Sequence, residues 1–325
     1  MGQKQVSPQH GFESKRQIGM KKKTKSLLYI LCIAMIVCAV LWWLGLTEVE
    51  GFQASGWAGA PFISGQAFKD LCKYNLDNRY ALVPFDSSLK QGDKVFLKVS
   101  DLASFVEDPP PVKVIIVISN SDETFDDNLY NKVAPYVSIV YAINCSAKRA
   151  IQIPIGFRDD AYTPHKDLTD ILSDTTKSSG KDIICLLNFL IVTNVEERQA
   201  AYDAFLGKPW VQIDEEYKKT NMSKSLDFND PQTINKRLDC YATLKKTKFV
   251  VCPPGRGIDT HRVYETLFFG GIPIIKTSPL DPMYKKLGGC WIVQDWSEVT
   301  EEACNERWVS MAKGAIKTDP MEWLK

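Results

Sequence analysis

Between residues 112 and 157 the chain alternates short apolar runs with polar spacers: VKVIIVIS at 112–119, VSIVYAI at 137–143 and IQIPIGF at 151–157. Runs this short, β-branched and continuously apolar are the mark of strands buried on both faces of a parallel sheet. Residues 126–133, between the first two, suit either a helix or a loop. A second series follows, with a strand at 182–189, a helix at 196–206 and a strand at 210–213. Ile234, Leu238, Tyr241 and Leu244 then recur at helical spacing behind Pro231, which predicts a helix over 231–244. Beyond it the pattern predicts a strand at 249–252, a helix at 260–269 and strands at 272–276 and 291–293. The polar tract 166–181, ending in TTKSSGK, divides the two series and reads as a domain boundary. Strand–helix alternation on both sides of it predicts an α/β chain of two Rossmann-like domains facing a cleft, over 67–175 and 180–325.

One apolar stretch fits no globular element. From Leu27 to Leu46 twenty residues run without a charge, with Trp42 and Trp43 near one end. As a helix it matches the roughly 30 Å hydrocarbon core of a bilayer. Composition is unremarkable, at 45% hydrophobic and 24% charged, but the net charge of +1 hides a division. Before Leu27 seven Lys and Arg face one acid, Glu13, so residues 1–26 carry +6 and the part after residue 46 sums to −5. The positive-inside bias then predicts a cytosolic basic tail, a single-pass signal anchor at 27–46 and a chain from 47 onward across the membrane. The competing reading is a signal peptide cleaved near Ala60, which the length of the apolar run and of the basic region disfavours. Residues 47–66, rich in Gly, Ala and Ser, suit a stem. The acidic remainder leaves no footprint for nucleic acid.

Seven of the nine cysteines lie beyond the apolar stretch; no CxxC pair occurs, which removes the usual zinc and thioredoxin patterns. Two glycosylation sequons begin at Asn144 and Asn221. Asn221 stands in a polar stretch and is the expected acceptor, whereas Asn144 ends an apolar run and is expected to be packed.

The stretch 248–277, KFVVCPPGRGIDTHRVYETLFFGGIPIIKT, predicts strand, Gly-rich loop, helix and strand in thirty residues. Gly255 and Gly257 let the loop around Arg256 turn sharply and approach a ligand. Asp259 or Thr260 can cap the following helix, whose first-turn N–H groups would favour a diphosphate. Arg262 in that turn can add a bidentate contact to phosphate oxygens. Glu265 offers a carboxylate to ribose hydroxyls. The dinucleotide fingerprint fails because Thr260 stands where a glycine is needed, and no Gly-Lys-Ser/Thr supports a P-loop. Loop, arginine and glutamate together describe a nucleotide-sugar site.

These residues resemble the exostosin-like glycosyltransferases, proteins of the two-domain GT-B fold. The match is strong from Phe249 to Trp296, through GRGIDTHR, YETLFFGGIPIIK, SPLDPMY and IVQDWSEVT. Weaker echoes begin at Asn120, Tyr141, Ile153, Asn188 and Thr193 and end at Arg198. The resemblance implies sugar transfer from a nucleotide-sugar donor to a glycan acceptor in the Golgi or ER lumen, with Arg262 near the diphosphate and Glu265 near the ribose or sugar. The chain departs from the family pattern in carrying Pro254 where arginine is usual and Arg256 where asparagine is usual, which moves positive charge two residues along the loop. A membrane-tethered carbohydrate-binding protein that kept the fold is the alternative.

No Asp-x-Asp occurs, so the expected mechanism needs no metal cofactor. An inverting transfer needs a carboxylate base. Asp122, beside Glu123 after the 112–119 strand, is the first candidate, with Asp159 and Asp160 as rivals. Plainer roles stand beside these. Arg262 and Glu265 could simply pair across i,i+3, His261 could be packed, and Arg198 could serve a solvated helix face rather than a phosphate. Asp122 and Glu123 could be a solvated turn, and the aromatics at 291–296 core.

Overall fold

The computed structural model describes residues 63–76, 85, 87–159, 181–214, 231–311 and 316–325. The basic tail, the 27–46 stretch, most of the stem, Asp160, the 166–180 tract and Asn221 lie outside them. Among the described residues no helix is long and apolar enough to cross a membrane.

Gly51–Lys325 forms one compact unit built around two five-stranded sheets, parallel throughout. The first runs β1 (Tyr74–Asn75), β2 (Lys94–Leu97), β3 (Val114–Ile118), β4 (Val137–Ala142) and β5 (Ile151–Gln152), in sequential order. The second holds β6 (Ile183–Leu187), β7 (Val211–Ile213), β8 (Thr247–Val251), β9 (Ile272–Lys276) and β10 (Trp291–Val293), in the order β10-β9-β8-β6-β7. Its chain direction therefore reverses between β6 and β8. Among the described residues eight α-helices accompany them: α1 (Gly65–Asp70), α2 (Leu102–Glu107), α3 (Asp127–Val133), α4 (Val195–Phe205), α5 (Pro231–Lys245), α6 (His261–Phe268), α7 (Asp281–Leu287) and α8 (Glu301–Met311).

Alternation along the strands divides the core into three layers. Val95, Leu97, Val114, Ile116 and Ile118 face outward onto Leu102 and Phe105 of α2 and Val133 of α3. A sequential parallel sheet with right-handed crossovers puts its helices on one such face. Their neighbours Phe96, Val117 and Tyr141 point the other way, into a layer that also receives Leu186, Val250 and Ile275 of the second sheet. Helices α1, α5, α6 and α7 and the aromatic Trp323 fill this shared layer. Cys185, Leu187, Phe249, Val251 and Ile274 face α4 and Cys304 of α8 on the far side. The tyrosine hydroxyl of Tyr141 donates to the Lys325 carbonyl at 2.8 Å, so the chain's last residues return to the first sheet.

The strand expected over 151–157 forms at Ile151–Gln152, with an isolated parallel bridge from Phe157 to Ser64 farther on. Beyond Gln152 the backbone leaves the sheet, sends the Ile155 amide to Asp259 of the second half of the molecule, turns at Gly156 with φ +79°, and returns the Phe157 amide to the Ile63 carbonyl at 2.7 Å. Residues 126–133 resolve as helix α3, capped by Asp126, which accepts from the Leu129 amide at 2.9 Å.

Candidate functional site

Open α/β sheets take ligands outside the carboxyl ends of their strands, where the strand order reverses. In the second sheet that point lies between β6 and β8, and their carboxyl ends present Asn188 and Cys252. Next to Asn188, the Arg262 side chain from the first turn of α6 donates to the Asn188 Oδ1 at 2.8 Å and to the Cys240 Sγ of α5 at 2.8 Å. It also pairs with Glu265 at 3.2 Å, the two side chains being 18% and 7% exposed. The predicted i,i+3 pair thus forms, but half-buried rather than on the surface. The second Glu265 oxygen has a long contact, 3.4 Å, from the Tyr241 hydroxyl.

Arg198 joins this cluster from α4. Its guanidinium lies beneath the glycine loop, donating to the Pro254 carbonyl and the Leu190 carbonyl at 2.9 Å each, with no carboxylate partner among the described residues. Burial, helped by the Arg262 charge, lowers its pKa to about 10. The expected solvated helix face is therefore corrected: a half-buried arginine without an acid partner leaves the switch point electropositive. The available signal was its place four residues after Asn194, at the start of a helix that opens on the loop.

Glycine loop 252–258 walls a cavity of about 340 Å³ between the ends of β8 and β9. Gly255, Arg256, Gly257 and Ile258 of the loop line it together with Lys276, Thr277 and Ser278. Asn194, which also lines the cavity, holds the loop, donating from Nδ2 to the Gly255 carbonyl at 3.1 Å. Inside the loop the Gly255 amide closes a turn onto the Gly257 carbonyl at 3.0 Å. The next three amides, of Arg256, Gly257 and Ile258, make no hydrogen bond among the described residues. Three successive unpartnered amides on a loop that lines a cavity are the make-up from which anion-binding concavities are built. Arg256 extends from its rim, exposed, and Lys276 stands across from it, in a loose 3.5 Å pair with Glu197.

No known protein family and no curated protein matches this chain.

The remaining expected residues divide. Thr260 occupies the N-cap of α6, yet its side chain makes no capping bond, and its buried Oγ1 has no partner among the described residues. Asp259, expected in the donor site, is buried and engaged by groups of the protein itself. It is 3% exposed and accepts from the Ile155 and Thr260 amides at 2.9 Å and the Tyr264 and Tyr284 hydroxyls at 2.5 and 2.8 Å. Complete burial raises its pKa to about 6 against those four donors. Arg262 and Glu265 are not among the residues that line the cavity with Gly255–Gly257. His261 is packed as expected, its Nδ1 2.9 Å from the Gly156 carbonyl.

Asp122 is exposed on the loop after β3. The preceding carbonyl, of Ser121, accepts from the Asn144 Nδ2 at 3.0 Å, and Asn144 Oδ1 accepts from the Asp259 amide at 2.8 Å. Asp122 therefore stands one residue from the bridge that joins the carboxyl edge of the first sheet to the glycine loop. Its rival Asp159 is occupied, accepting from Asn120 Nδ2 at 3.0 Å and the Gln66 amide at 2.7 Å. Asn120 and Asn144 both have left-handed backbones, φ +53° and +45°, at the ends of adjacent strands. Non-glycine residues held so gather at functional edges. Among the described residues no three His, Cys, Asp or Glu converge to hold a metal ion, and the seven described cysteines are free.

Proposed function

We propose that this protein is a glycosyltransferase of GT-B architecture that moves a sugar from a nucleotide-sugar donor to a glycan acceptor, without a metal and with inversion. The observation that carries the reading is the set of three unpartnered amides at the glycine loop, beside an arginine pair at the topological switch point. Donors placed where negative charge grows in the transition state stabilise it without reorganising. As the bond from sugar to diphosphate breaks, the leaving group gains charge, and the Arg256–Ile258 amides with Arg256 are placed to receive it. Arg262 holds Glu265 ready, and the carboxylate oxygen with only the long Tyr241 contact has capacity for a ribose hydroxyl. Two parallel sheets meeting through Asn144 support the architecture.

In this reading Asp122 takes the proton of the acceptor hydroxyl, whose oxygen attacks the anomeric carbon while the nucleoside diphosphate departs. Membrane anchorage through residues 27–46, with this part in the Golgi or ER lumen, belongs to the same proposal. The test is nucleotide binding followed by turnover. Nucleoside diphosphate should raise the melting temperature, as a ligand of the native state does, and Arg256→Glu should remove that rise. Absence of any rise across common nucleoside diphosphates would overturn the reading. EDTA should leave transfer unchanged, whereas inhibition reversed by Mn²⁺ would refute the metal-free mechanism.

The exposure of Asp122 and the occupied state of Asp159 favour one second reading, a carbohydrate-binding protein without turnover. Asp122→Ala separates the two: it should abolish transfer and keep nucleotide affinity in an enzyme, and change nothing in a binder.

A further inference from the structure

We propose that Asp259 couples anion binding at the glycine loop to proton uptake, so that the loop holds its anion more tightly as the medium becomes more acidic. The inference rests on reading the Arg256–Ile258 amides as the anion site, and it concerns how that site is regulated. Asp259 follows Ile258 directly in the chain. Its Oδ1 accepts from the hydroxyl of Tyr284, which itself lines the cavity, so a buried carboxylate lies one side chain behind the wall that the anion would touch. A negative charge there opposes a second one in front of it, in surroundings that screen little. Protonation removes the opposition. By linkage, a bound anion must raise the affinity of Asp259 for its proton by the same factor.

The fold can take that proton without breaking the clasp. Tyr264 donates to Oδ2 at 2.5 Å but also lies 3.9 Å from the Met283 sulfur. Rotating its hydroxyl toward that sulfur lets the protonated carboxyl donate to the tyrosine oxygen, and the other three donors keep their places. The pKa of Asp259, already lifted to about 6 by burial, puts the exchange in a mildly acidic range.

The groups facing Asp259 do not supply this behaviour. From α6 comes Tyr264, from α7 Tyr284, and from the approach to β10 the Cys290 thiol, all pushed well above their ordinary values by burial. The segment after β5 offers the Ile155 amide. Farther along it, Asp159 is engaged by Asn120 and Gln66, and Arg158 acts on His261. On the loop itself Arg256 is exposed. Among the described residues around Asp259, His261, two residues away, is the competing titratable group, and burial lowers its pKa.

Sulfate is the appropriate probe, because it keeps both charges between pH 5.5 and pH 7.5, whereas a terminal phosphate does not. Isothermal titration of the full chain should show sulfate bound about fivefold more tightly or better at the lower pH, the small end of common coupling strengths. Asp259→Asn should bind at pH 7.5 nearly as wild type does at pH 5.5 and lose the pH dependence, while His261→Gln should keep it. Should the asparagine variant not fold, titrations of wild type and His261→Gln at pH 6.5 in two buffers of different ionisation enthalpy count the protons taken up per sulfate. A flat wild-type profile, an Asp259→Asn protein that still follows the wild-type profile, or no proton uptake overturns the proposal. Uptake that vanishes in His261→Gln assigns the effect to the histidine and overturns it equally. Arg256→Glu tests the underlying site: unchanged sulfate affinity there would mean the loop is not the anion site, a failure distinct from that of the coupling.

Discussion

A Cβ added at Gly257 would lie 2.5 Å from the Nδ2 of Asn144 and 2.9 Å from its Oδ1, closer than atoms of a held amide tolerate. Gly257→Ala should therefore cost about 1–3 kcal/mol by denaturant titration, the usual penalty of overpacking, and weaken nucleotide binding as the loop amides move. Gly255 differs, since its added carbon would meet only the flexible tip of Arg198 at 2.8 Å. Glu265→Ala would leave Arg262 half-buried without its carboxylate. We expect loss of transfer accompanied by roughly 1–3 kcal/mol of destabilisation, so the variant's melting curve must be read beside its turnover. The loop, its glycines and the Arg262–Glu265 spacing were all legible in the sequence, because spacing alone sets which residues share a turn. The roles of Asp259 and Arg198 were not legible. Each depends on partners about fifty residues away or more, at Pro254 and Ile155, that no local pattern reveals. Asparagine at the ends of both apolar runs was the missed signal, since asparagine tolerates the left-handed backbone that ends β3 and β4.

Helices α5 and α6 end on the same cation. Lys181 donates to the Leu244 and Lys245 carbonyls at 3.4 and 3.0 Å and to the Phe269 carbonyl at 2.7 Å, satisfying acceptors that a helix end leaves open. Lys181→Met should cost about 1.5–3 kcal/mol, the worth of a charged hydrogen bond. Burial holds its pKa at about 8, below the ordinary 10.5. The unfolded chain thus binds more protons between those values, and wild-type stability should rise from pH 8 toward 10.5 relative to Lys181→Met, as pH-dependent unfolding can check. At this scale the apolar runs forecast β3, β4 and β6–β10 well, since continuous hydrophobicity is what a doubly covered strand requires. They failed for β1, β2, α1, α2, α7 and α8. β1 pairs over two residues and β2 over four, too short for periodicity to register. Helix α7 did carry a signal, Pro282 at its start and Gly288 with φ +85° at its end.

Across the whole molecule Asp259 ties the segment after β5 to α6 and α7, and its folded pKa of about 6 exceeds the ordinary 3.8. The stability this group gives is complete below pH 3.8 and is lost as pH rises through 6, so the difference between wild type and Asp259→Asn should change over that interval. The expected polar boundary lies largely outside the described residues, yet the sheets on either side of it share one apolar layer. Two series of strands were readable from the pattern. Their common layer was not, because a strand buried on both faces looks the same whichever partner covers it.

That layer has a consequence for how the protein is made. Phe96, Val117 and Tyr141 leave the ribosome long before Trp323 and Leu324, which bury with them. During synthesis the first sheet must wait with one greasy side bare, a condition that invites aggregation. Chains stopped at residue 317 should accordingly accumulate as insoluble material, while chains carried through Leu324 fold.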